Sequence, residues 1–188
     1  MRMKSIVLSL VLLASACFLT ACDNAKKMGA DAAIKAADAT LTPVLAEAQK
    51  YVPDQAKTVS DSLRQAKISF ANGDYSAALD TAKGLPDQAK ALVEAVKAKK
   101  DDLTAKFNQL STSMPGLVTA AQTKFDALKK SHKLPAGADA ALTTVKQTWA
   151  DASTSMQSGD LSAAMEKATA AKDKLGDLQK MLGIKPAA

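Results

Sequence analysis

The sequence predicts an all-α protein that folds as an antiparallel bundle of about six helices. Alanine, the strongest helix former, is the commonest residue, at 39 of 188. Aromatic residues make up only 4% of the chain, and the runs rich in Val, Ile and Tyr that are typical of strands are absent. Apolar residues recur three and four positions apart over most of the chain, which is the spacing of a helix face that packs on another helix. A chain of 188 residues suits one domain.

The first 21 residues have the anatomy of an export signal. Two basic residues, Arg2 and Lys4, give a positive start, residues 6–13 form an apolar run, and small residues follow. The apolar part is shorter than the roughly 20 residues that a membrane-spanning helix needs. We therefore expect residues 1–21 to be a signal peptide that is cleaved after Ala21.

The end of this signal is Leu19-Thr20-Ala21-Cys22. It resembles the lipobox of bacterial lipoproteins, in which an aliphatic residue and two small residues precede a cysteine. The resemblance implies that the thiol of Cys22 receives a diacylglycerol and that its new amino group is acylated with a fatty acid such as palmitate. Two or three acyl chains hold a protein firmly to a membrane, whereas one chain binds only marginally. The segment Ala14-Ser15-Ala16-Cys17 is a weaker second candidate, and an ordinary secreted protein with an incidental cysteine is the alternative.

The predicted mature chain begins with a lipidated N-terminus and a short polar tether, residues 22–29. In enteric bacteria an aspartate at the position of Asp23 resembles the signal for retention in the inner membrane, although the outer membrane stays open. Loss of Arg2 and Lys4 leaves 23 basic and 19 acidic side chains, so the mature charge is about +4. This mild charge, without a dense basic stripe, argues against nucleic acid as a partner. Cys22 is then the one remaining cysteine, so no internal disulfide is expected.

Two helical patterns follow the tether. The first covers about residues 30–51 and contains Pro43, which is expected to kink or divide it. The second begins at Pro53, since proline suits a first helical turn, and ends at Gly73, which can adopt the left-handed conformation. Asp74 can cap the next helix. The inward-facing residues of both patterns are Ile34, Ala37, Leu41, Val44, Leu45, Ala48, Tyr51, Val52, Ala56, Val59, Leu63, Ala66 and Phe70.

A third helical pattern covers residues 75–110. Gly84-Leu85-Pro86 interrupts it, but the apolar face keeps its phase, so a kink or a one-residue restart is expected there. Residues 111–116, rich in Ser, Thr, Pro and Gly, are predicted to be a loop, and residues 117–130 a fourth helix. The inward faces consist of Tyr75, Ala78, Ala82, Leu85, Ala89, Leu92, Val96, Leu103, Phe107, Leu110, Leu117, Ala121, Phe125 and Leu128.

The last two helices are predicted after a turn at residues 134–137. The fifth covers residues 138–156, and Gly159 and Asp160 end it and cap the sixth, which runs over residues 161–182. The inward faces are Ala138, Leu142, Val145, Trp149, Ala152, Met156, Leu161, Ala164, Ala168, Ala171, Leu175, Leu178 and Leu182.

Two stretches match at a spacing of 86 residues. Residues 70–79 read Phe-Ala-Asn-Gly-Asp-Tyr-Ser-Ala-Ala-Leu, and residues 156–165 read Met-Gln-Ser-Gly-Asp-Leu-Ser-Ala-Ala-Met. The match predicts a duplicated three-helix unit, with repeats over 30–110 and 111–188 in one compact domain. Chance similarity between two hairpins with the same Gly-Asp turn is the alternative. The first stretch also resembles the turn of a tetratricopeptide hairpin, but the spacing departs from the period of about 34 residues in that family.

No catalytic or metal-binding constellation is recognisable in the sequence. His132 is the single histidine, lies among lysines and is expected at a solvated basic helix end. One histidine and a lipidated cysteine cannot build an ordinary zinc site. Asp101 and Asp102 are neighbours on a helix, so they point in different directions and do not form a carboxylate pair. Trp149 is expected to be core bulk rather than a ligand platform.

These observations predict a membrane-anchored lipoprotein of the bacterial envelope that faces the periplasm. Its helical bundle is expected to bind another envelope protein without catalysis, metal or cofactor. The alternative is a binding protein for a hydrophobic small molecule or a lipid, held in a cleft that kinks at Pro43 and Pro86 would open between helices. An enzyme is a third hypothesis, which no sequence motif supports.

Overall fold

The computed structural model describes residues 3–184, with the side chains of residues 23–184. This part of the chain contains helices and no strand. The five helices are α1 (Met3–Tyr51), α2 (Pro53–Ala71), α3 (Tyr75–Lys130), α4 (Ala138–Gln157) and α5 (Leu161–Met181). The prediction of an all-α protein is confirmed. The expected count of about six is wrong, because the third and fourth predicted helices are one continuous helix, α3.

The chain forms two compact units that divide within α3. One unit reaches Lys97 and the other begins at Ala98. The first unit contains α1, α2 and the first part of α3, and the second contains the rest of α3 with α4 and α5. Each unit therefore has three helical segments. The division falls earlier than the repeat boundary that the sequence placed between residues 110 and 111.

Residues 111–116 are helical, although their composition predicts a loop. Met114 is fully buried in the core of the second unit, so this segment continues the inward face of α3. The hydroxyl of Thr112 donates to the carbonyl oxygen of Asn108, one helical turn back, at 3.0 Å, as threonine hydroxyls do inside a helix. Burial of Met114 outweighs the helix-breaking tendency of Pro115 and its neighbours.

The described helices also continue through three other places where the sequence predicts a tether, or a kink or break at a proline. Residues 23–29, predicted as part of a tether, belong to α1, and Pro43 lies inside the same helix without dividing it. Pro86 likewise lies inside α3. Leu41 and Leu85, close to these two prolines, are fully buried, so each helix carries its apolar face past the proline. Packing of that face offsets the roughly 3 kcal/mol that an interior proline costs an isolated helix.

The first unit buries one face of each of its helices. Alanines are frequent on these faces, which lets the helix backbones approach closely. The ammonium of Lys67 on α2 donates to the carboxylate of Asp38 on α1 at 2.9 Å. Gly29 on α1 lies next to Leu79 near the beginning of α3, since a Cβ added at Gly29 would be 3.9 Å from a methyl group of Leu79. The buried residues are Ala30, Ile34, Ala37, Leu41, Ala48, Tyr51, Ala56, Val59, Leu63, Ala66, Ala78, Ala82, Leu85, Ala89, Leu92 and Val96.

The second unit has two adjoining apolar clusters. Half-buried Trp149 packs against both of them and stacks on Phe107, with ring centroids 5.6 Å apart and planes 7° from parallel. This contact agrees with the expectation that Trp149 is packing bulk. The buried members of the clusters are Phe107, Met114, Ala121, Phe125, Ala138, Leu142, Val145, Ala152, Ala164, Ala168, Ala171, Leu175, Leu178 and Leu182.

Candidate binding site

The lipobox residues lie at the edge of what the structure describes. The side chains of Ala21 and Cys22 are outside the described residues, so the predicted cleavage and lipidation stay predictions. Asp23, the predicted sorting residue, is the first residue whose side chain is described, and it is exposed on α1. From Asp23 to Met28 the side chains are exposed, and Ala30 is the first fully buried residue among those whose side chains are described.

The predicted turn residues have the same conformation in both units. Gly73 and Gly159 have φ angles of 82° and 80°, in the left-handed region that glycine adopts without strain. One carboxylate oxygen of Asp74 accepts a hydrogen bond from the amide of Ala77 at 3.0 Å, and Asp160 accepts one from Ala163 at the same distance. Both aspartates therefore cap the helix that follows. Each Gly-Asp pair therefore shapes the hairpin of its own unit.

The charged residues singled out in the sequence lie at the surface. His132 is exposed just beyond α3, with a φ of 57°. Asp102 accepts a hydrogen bond from Lys106 at 2.8 Å, and this bond lowers the pKa of the Asp102 carboxyl. Among the described residues, no group of three or more His, Cys, Asp and Glu side chains is placed to hold a metal ion.

The first unit has a groove between α2 and the first part of α3. Its volume is about 500 Å³, within the usual range of about 300–1,000 Å³ for small-molecule sites. Val59 and Leu92, both buried, supply its apolar floor. All the side chains that line the groove are uncharged, and they are Gln55, Thr58, Val59, Ser62, Gln88, Ala91, Leu92 and Ala95.

Helical spacing explains how these residues form a groove. Gln55, Val59 and Ser62 follow one another at four and three positions on α2, so they form one ridge. Gln88, Leu92 and Ala95 repeat that spacing on α3. The residues beside the buried seam on α3 are small, and the space that longer side chains would fill stays open.

Two hydroxyls and two amides, those of Gln55 and Gln88, give the groove its polarity. Thr58 donates to the carbonyl of Asp54 at 3.0 Å, and Ser62 donates to the carbonyl of Thr58 at 3.1 Å. The side-chain oxygen of Gln88 is buried and has no hydrogen-bond partner among the described residues. An unpaired buried acceptor costs about 1–3 kcal/mol, and this oxygen is closed to solvent, so it is not part of the accessible surface of the groove.

The second unit has a different depression, of about 530 Å³, between α3 and α5. Four of its lining residues are charged, and Lys180 pairs with Asp177, one turn away on α5, at 3.0 Å. Its lining residues are Leu117, Lys172, Asp173, Leu175, Gly176, Asp177, Gln179 and Lys180. The uncharged groove and the charged depression therefore suit different ligands.

Sequence reasoning missed the groove. It identified the buried seam correctly but gave no role to Gln88, Ala91 or Ala95, which flank that seam on α3. The available signal was a set of uncharged, mostly small residues one turn apart on two consecutive helices. In a chain with 23% charged residues, a helix face without charged side chains is a recognisable signal.

No family model, curated protein or solved structure matches this chain. Within the part of the chain that the structure describes, none of the helices has a stretch that is long and apolar enough to cross a bilayer.

Proposed function

We propose that this protein is a lipid-anchored module of the bacterial cell envelope that binds another envelope protein without catalysis. The lipobox-like Leu19-Thr20-Ala21-Cys22 supports the anchor, and the helical units supply surfaces on which a partner can dock. Asp23 supports retention in the inner membrane, with the domain facing the periplasm.

The continuation of α1 to the predicted anchor carries the proposal. The helix covers Cys22 and residues 23–29 without interruption, and Ala30 is the first buried residue among the described side chains. Eight residues at 1.5 Å each place the core about 12 Å from the anchored cysteine. A helical stem of this length would hold the first unit close to the headgroups, where an envelope partner at the membrane surface is within reach.

The two units support the further proposal that a three-helix unit was duplicated. Buried residues of α2 and the first part of α3 have buried counterparts 86 positions later, on α4 and α5. The hydrogen bonds of the two turns also correspond: the amide of Asp74 donates to the carbonyl of Ser69, and that of Asp160 to the carbonyl of Ser155, both at 2.9 Å. The paired buried positions include Ala56 and Leu142, Val59 and Val145, Ala66 and Ala152, Ala78 and Ala164, Ala82 and Ala168, Leu85 and Ala171, Ala89 and Leu175, Leu92 and Leu178, and Val96 and Leu182.

Crosslinking in living cells, followed by affinity capture and mass spectrometry, tests the docking proposal. Wild-type protein should capture a specific envelope protein, and the Cys22→Ser variant at equal abundance should lose it, because that variant has no lipid to hold it at the membrane. Equal capture by both forms would contradict the requirement for the anchor. Clean recovery of the wild-type protein with no enriched protein partner would contradict the docking module.

A second candidate function is binding of a small hydrophobic molecule. The uncharged groove between α2 and α3, with its apolar floor of Val59 and Leu92, favours it. Native mass spectrometry of the full protein, released from mild detergent, should then show a retained molecule that solvent extraction removes. Material that carries no molecule even after incubation with envelope lipid extract would count against this candidate.

A further inference from the structure

We propose that the turn between α2 and α3, with the aromatic pair Phe70 and Tyr75, lies in the phospholipid headgroup layer of the membrane that holds the anchor. The partner of this surface is the lipid itself. The inference deepens the proposed function and rests on it, because it takes Cys22 as the anchored residue.

The turn lies at the end of the first unit that is closest to Cys22. Gly29 on α1 lies beside Leu79 on α3. Two residues earlier on α1, the ammonium of Lys27 lies 5.9 Å from the centre of the Tyr75 ring. Both contacts follow the same order along the two helices, so α1 and the beginning of α3 run in the same direction. At about 1.5 Å per residue, Lys27 is about 7.5 Å beyond Cys22 along α1, which is comparable with the thickness of a headgroup layer, roughly 5–8 Å.

The other turn of the first unit is far from the anchored end. The ion pair between Lys67 and Asp38 joins α2 to α1 near the middle of the unit, and α2 runs back toward the anchor. From Gln55 to Ala71, α2 rises by about 24 Å. A headgroup layer on the anchored side therefore reaches the turn between α2 and α3 before it reaches the turn between α1 and α2.

The side chains of the turn suit the headgroup layer. The rings of Phe70 and Tyr75 are both half-buried and meet edge to face, with centroids 5.3 Å apart. A tyrosine has an apolar ring and a polar hydroxyl, and such side chains are enriched at the interface between membrane and water. The ammonium of Lys27 lies over the Tyr75 ring, and its flexible stem allows it to reach a lipid phosphate.

The charges at this end of the unit are balanced. Residues 23–29 and 70–75 contain two lysines and two aspartates, so their formal charges cancel. One of the aspartates, Asp74, accepts a hydrogen bond from the amide of Ala77 at the beginning of α3, where the helix dipole stabilises a negative charge. The contact therefore needs no anionic lipid, and a zwitterionic phospholipid is a sufficient partner.

The corresponding turn of the second unit has no aromatic residue. Met156 stands at the position of Phe70, and Leu161 at that of Tyr75. The second turn nevertheless has the same left-handed glycine and the same aspartate cap, so the hairpin does not require the rings. Two of the seven aromatic residues of the chain are in the turn next to the anchored end, and contact with the membrane interface gives them a role that the hairpin does not.

A fluorophore beside the turn tests this contact. The mature chain has no free thiol when Cys22 carries lipid, so Ala71→Cys introduces a single position for a nitrobenzoxadiazole label. Gln55→Cys is the matched control, because Gln55 is also exposed and lies at the far end of α2. Each labelled chain is reconstituted in nanodiscs of phosphatidylcholine, in which part of the lipid has a doxyl spin label near the headgroup that quenches fluorophores at that depth.

We expect the spin-labelled lipid to quench the label at position 71 at least about threefold more than the label at position 55, because about 24 Å of helix separates them. Addition of anionic phosphatidylglycerol should leave both values unchanged. Tyr75→Leu, which copies the residue of the second unit, should lower the quenching at position 71 about twofold, and Tyr75→Trp should retain it, since tryptophan also prefers the interface.

Four results would overturn the inference in distinguishable ways. Equal quenching at the two positions of a nanodisc-bound chain would refute the contact and leave the anchor in place. Quenching that Tyr75→Leu does not change would refute the role of the aromatic pair. Quenching at position 71 that appears only with phosphatidylglycerol would refute a contact that needs no anionic lipid. A wild-type chain that stays off the nanodiscs and takes up the label at Cys22 would refute the anchor, and this inference with it.

Discussion

Replacement of Pro115 by alanine distinguishes the continuous helix α3 from the loop that the sequence predicts. In the interior of a helix proline costs about 3 kcal/mol relative to alanine, because it lacks an N–H and clashes with the previous turn. Pro115 is exposed and twelve or more helical residues flank it on each side, so the substitution disturbs no buried contact. We therefore expect Pro115→Ala to raise the free energy of unfolding by about 2–3 kcal/mol.

Urea denaturation of the full chain, followed by far-ultraviolet circular dichroism, measures this change. With a slope of about 1–3 kcal/mol per molar urea, the unfolding midpoint should rise by about 0.7–3 M. Gly116→Ala should add about 1 kcal/mol in the same direction, since nothing lies within 4 Å of the added Cβ.

Pro53→Ala is the matched control, because Pro53 is the first residue of α2 and its missing N–H costs nothing there. That variant should lose about 0.4–1 kcal/mol, since alanine gives the unfolded chain more freedom. If Pro115→Ala also lowers the midpoint, as removal of proline from a loop would, then the continuous helix is refuted.

The remaining predictions concern the caps, the core and one surface carboxylate. Asp74→Ala and Asp160→Ala should each cost about 1 kcal/mol in urea denaturation, because each leaves a helix-capping amide without its acceptor; an unchanged midpoint would refute the caps. Leu178→Ala should cost about 2–5 kcal/mol, because Leu178 is fully buried and the change leaves a cavity; a loss below about 1 kcal/mol would contradict that burial. Hydrogen bonds from Lys57 and Arg64 lower the pKa of the Asp61 carboxyl in the folded protein. The ionised Asp61 therefore stabilises the fold above about pH 3.9, the usual pKa of an unfolded aspartate, and this stabilisation is lost as the pH falls through the lower folded pKa. Lys57→Met should raise the pKa of Asp61 in an NMR titration, and an unmoved titration curve would refute the pairing.

Periodic apolar spacing predicted most of the core correctly. The steps of three and four that pass through Ala56, Val59, Leu63 and Ala66 coincide with the buried face of α2. The same holds for α5, where the apolar face runs from Ala164 to Leu178. These faces can be recognised in the sequence, because every turn of an amphipathic helix contributes one or two apolar residues to the packed face.

Local composition was a poorer guide to where helices end. Residues 111–116 have the composition of a loop, yet Met114 is buried in the core. The hydroxyls of Thr112 and Ser113 donate hydrogen bonds to backbone carbonyls one helical turn back. Residues 23–29 look like a polar tether, but α1 continues through them. In both cases burial elsewhere in the same helix decides the conformation, and a short window of sequence does not contain that information.

The groove could not be derived from the seam pattern alone. The groove depends on the size of the residues that flank the buried seam on two helices, and Ser62 on α2 and Ala91 and Ala95 on α3 are all small. The unpaired state of the Gln88 oxygen depends on the three-dimensional neighbours of that side chain. The Gly-Asp turns, by contrast, follow from local rules, because glycine permits the left-handed conformation and aspartate caps the next helix.

Incorporation of labelled fatty acid tests the central claim, attachment to the envelope membrane through Cys22, most directly. Cells that express the wild-type chain, Cys22→Ser or the control Cys17→Ser are grown with labelled palmitate, and the protein is purified under denaturing conditions. We expect label in the wild-type and Cys17→Ser proteins and none in Cys22→Ser. Label that persists in Cys22→Ser, or that is absent from the wild-type protein, would contradict the lipid anchor and the membrane-surface function built on it.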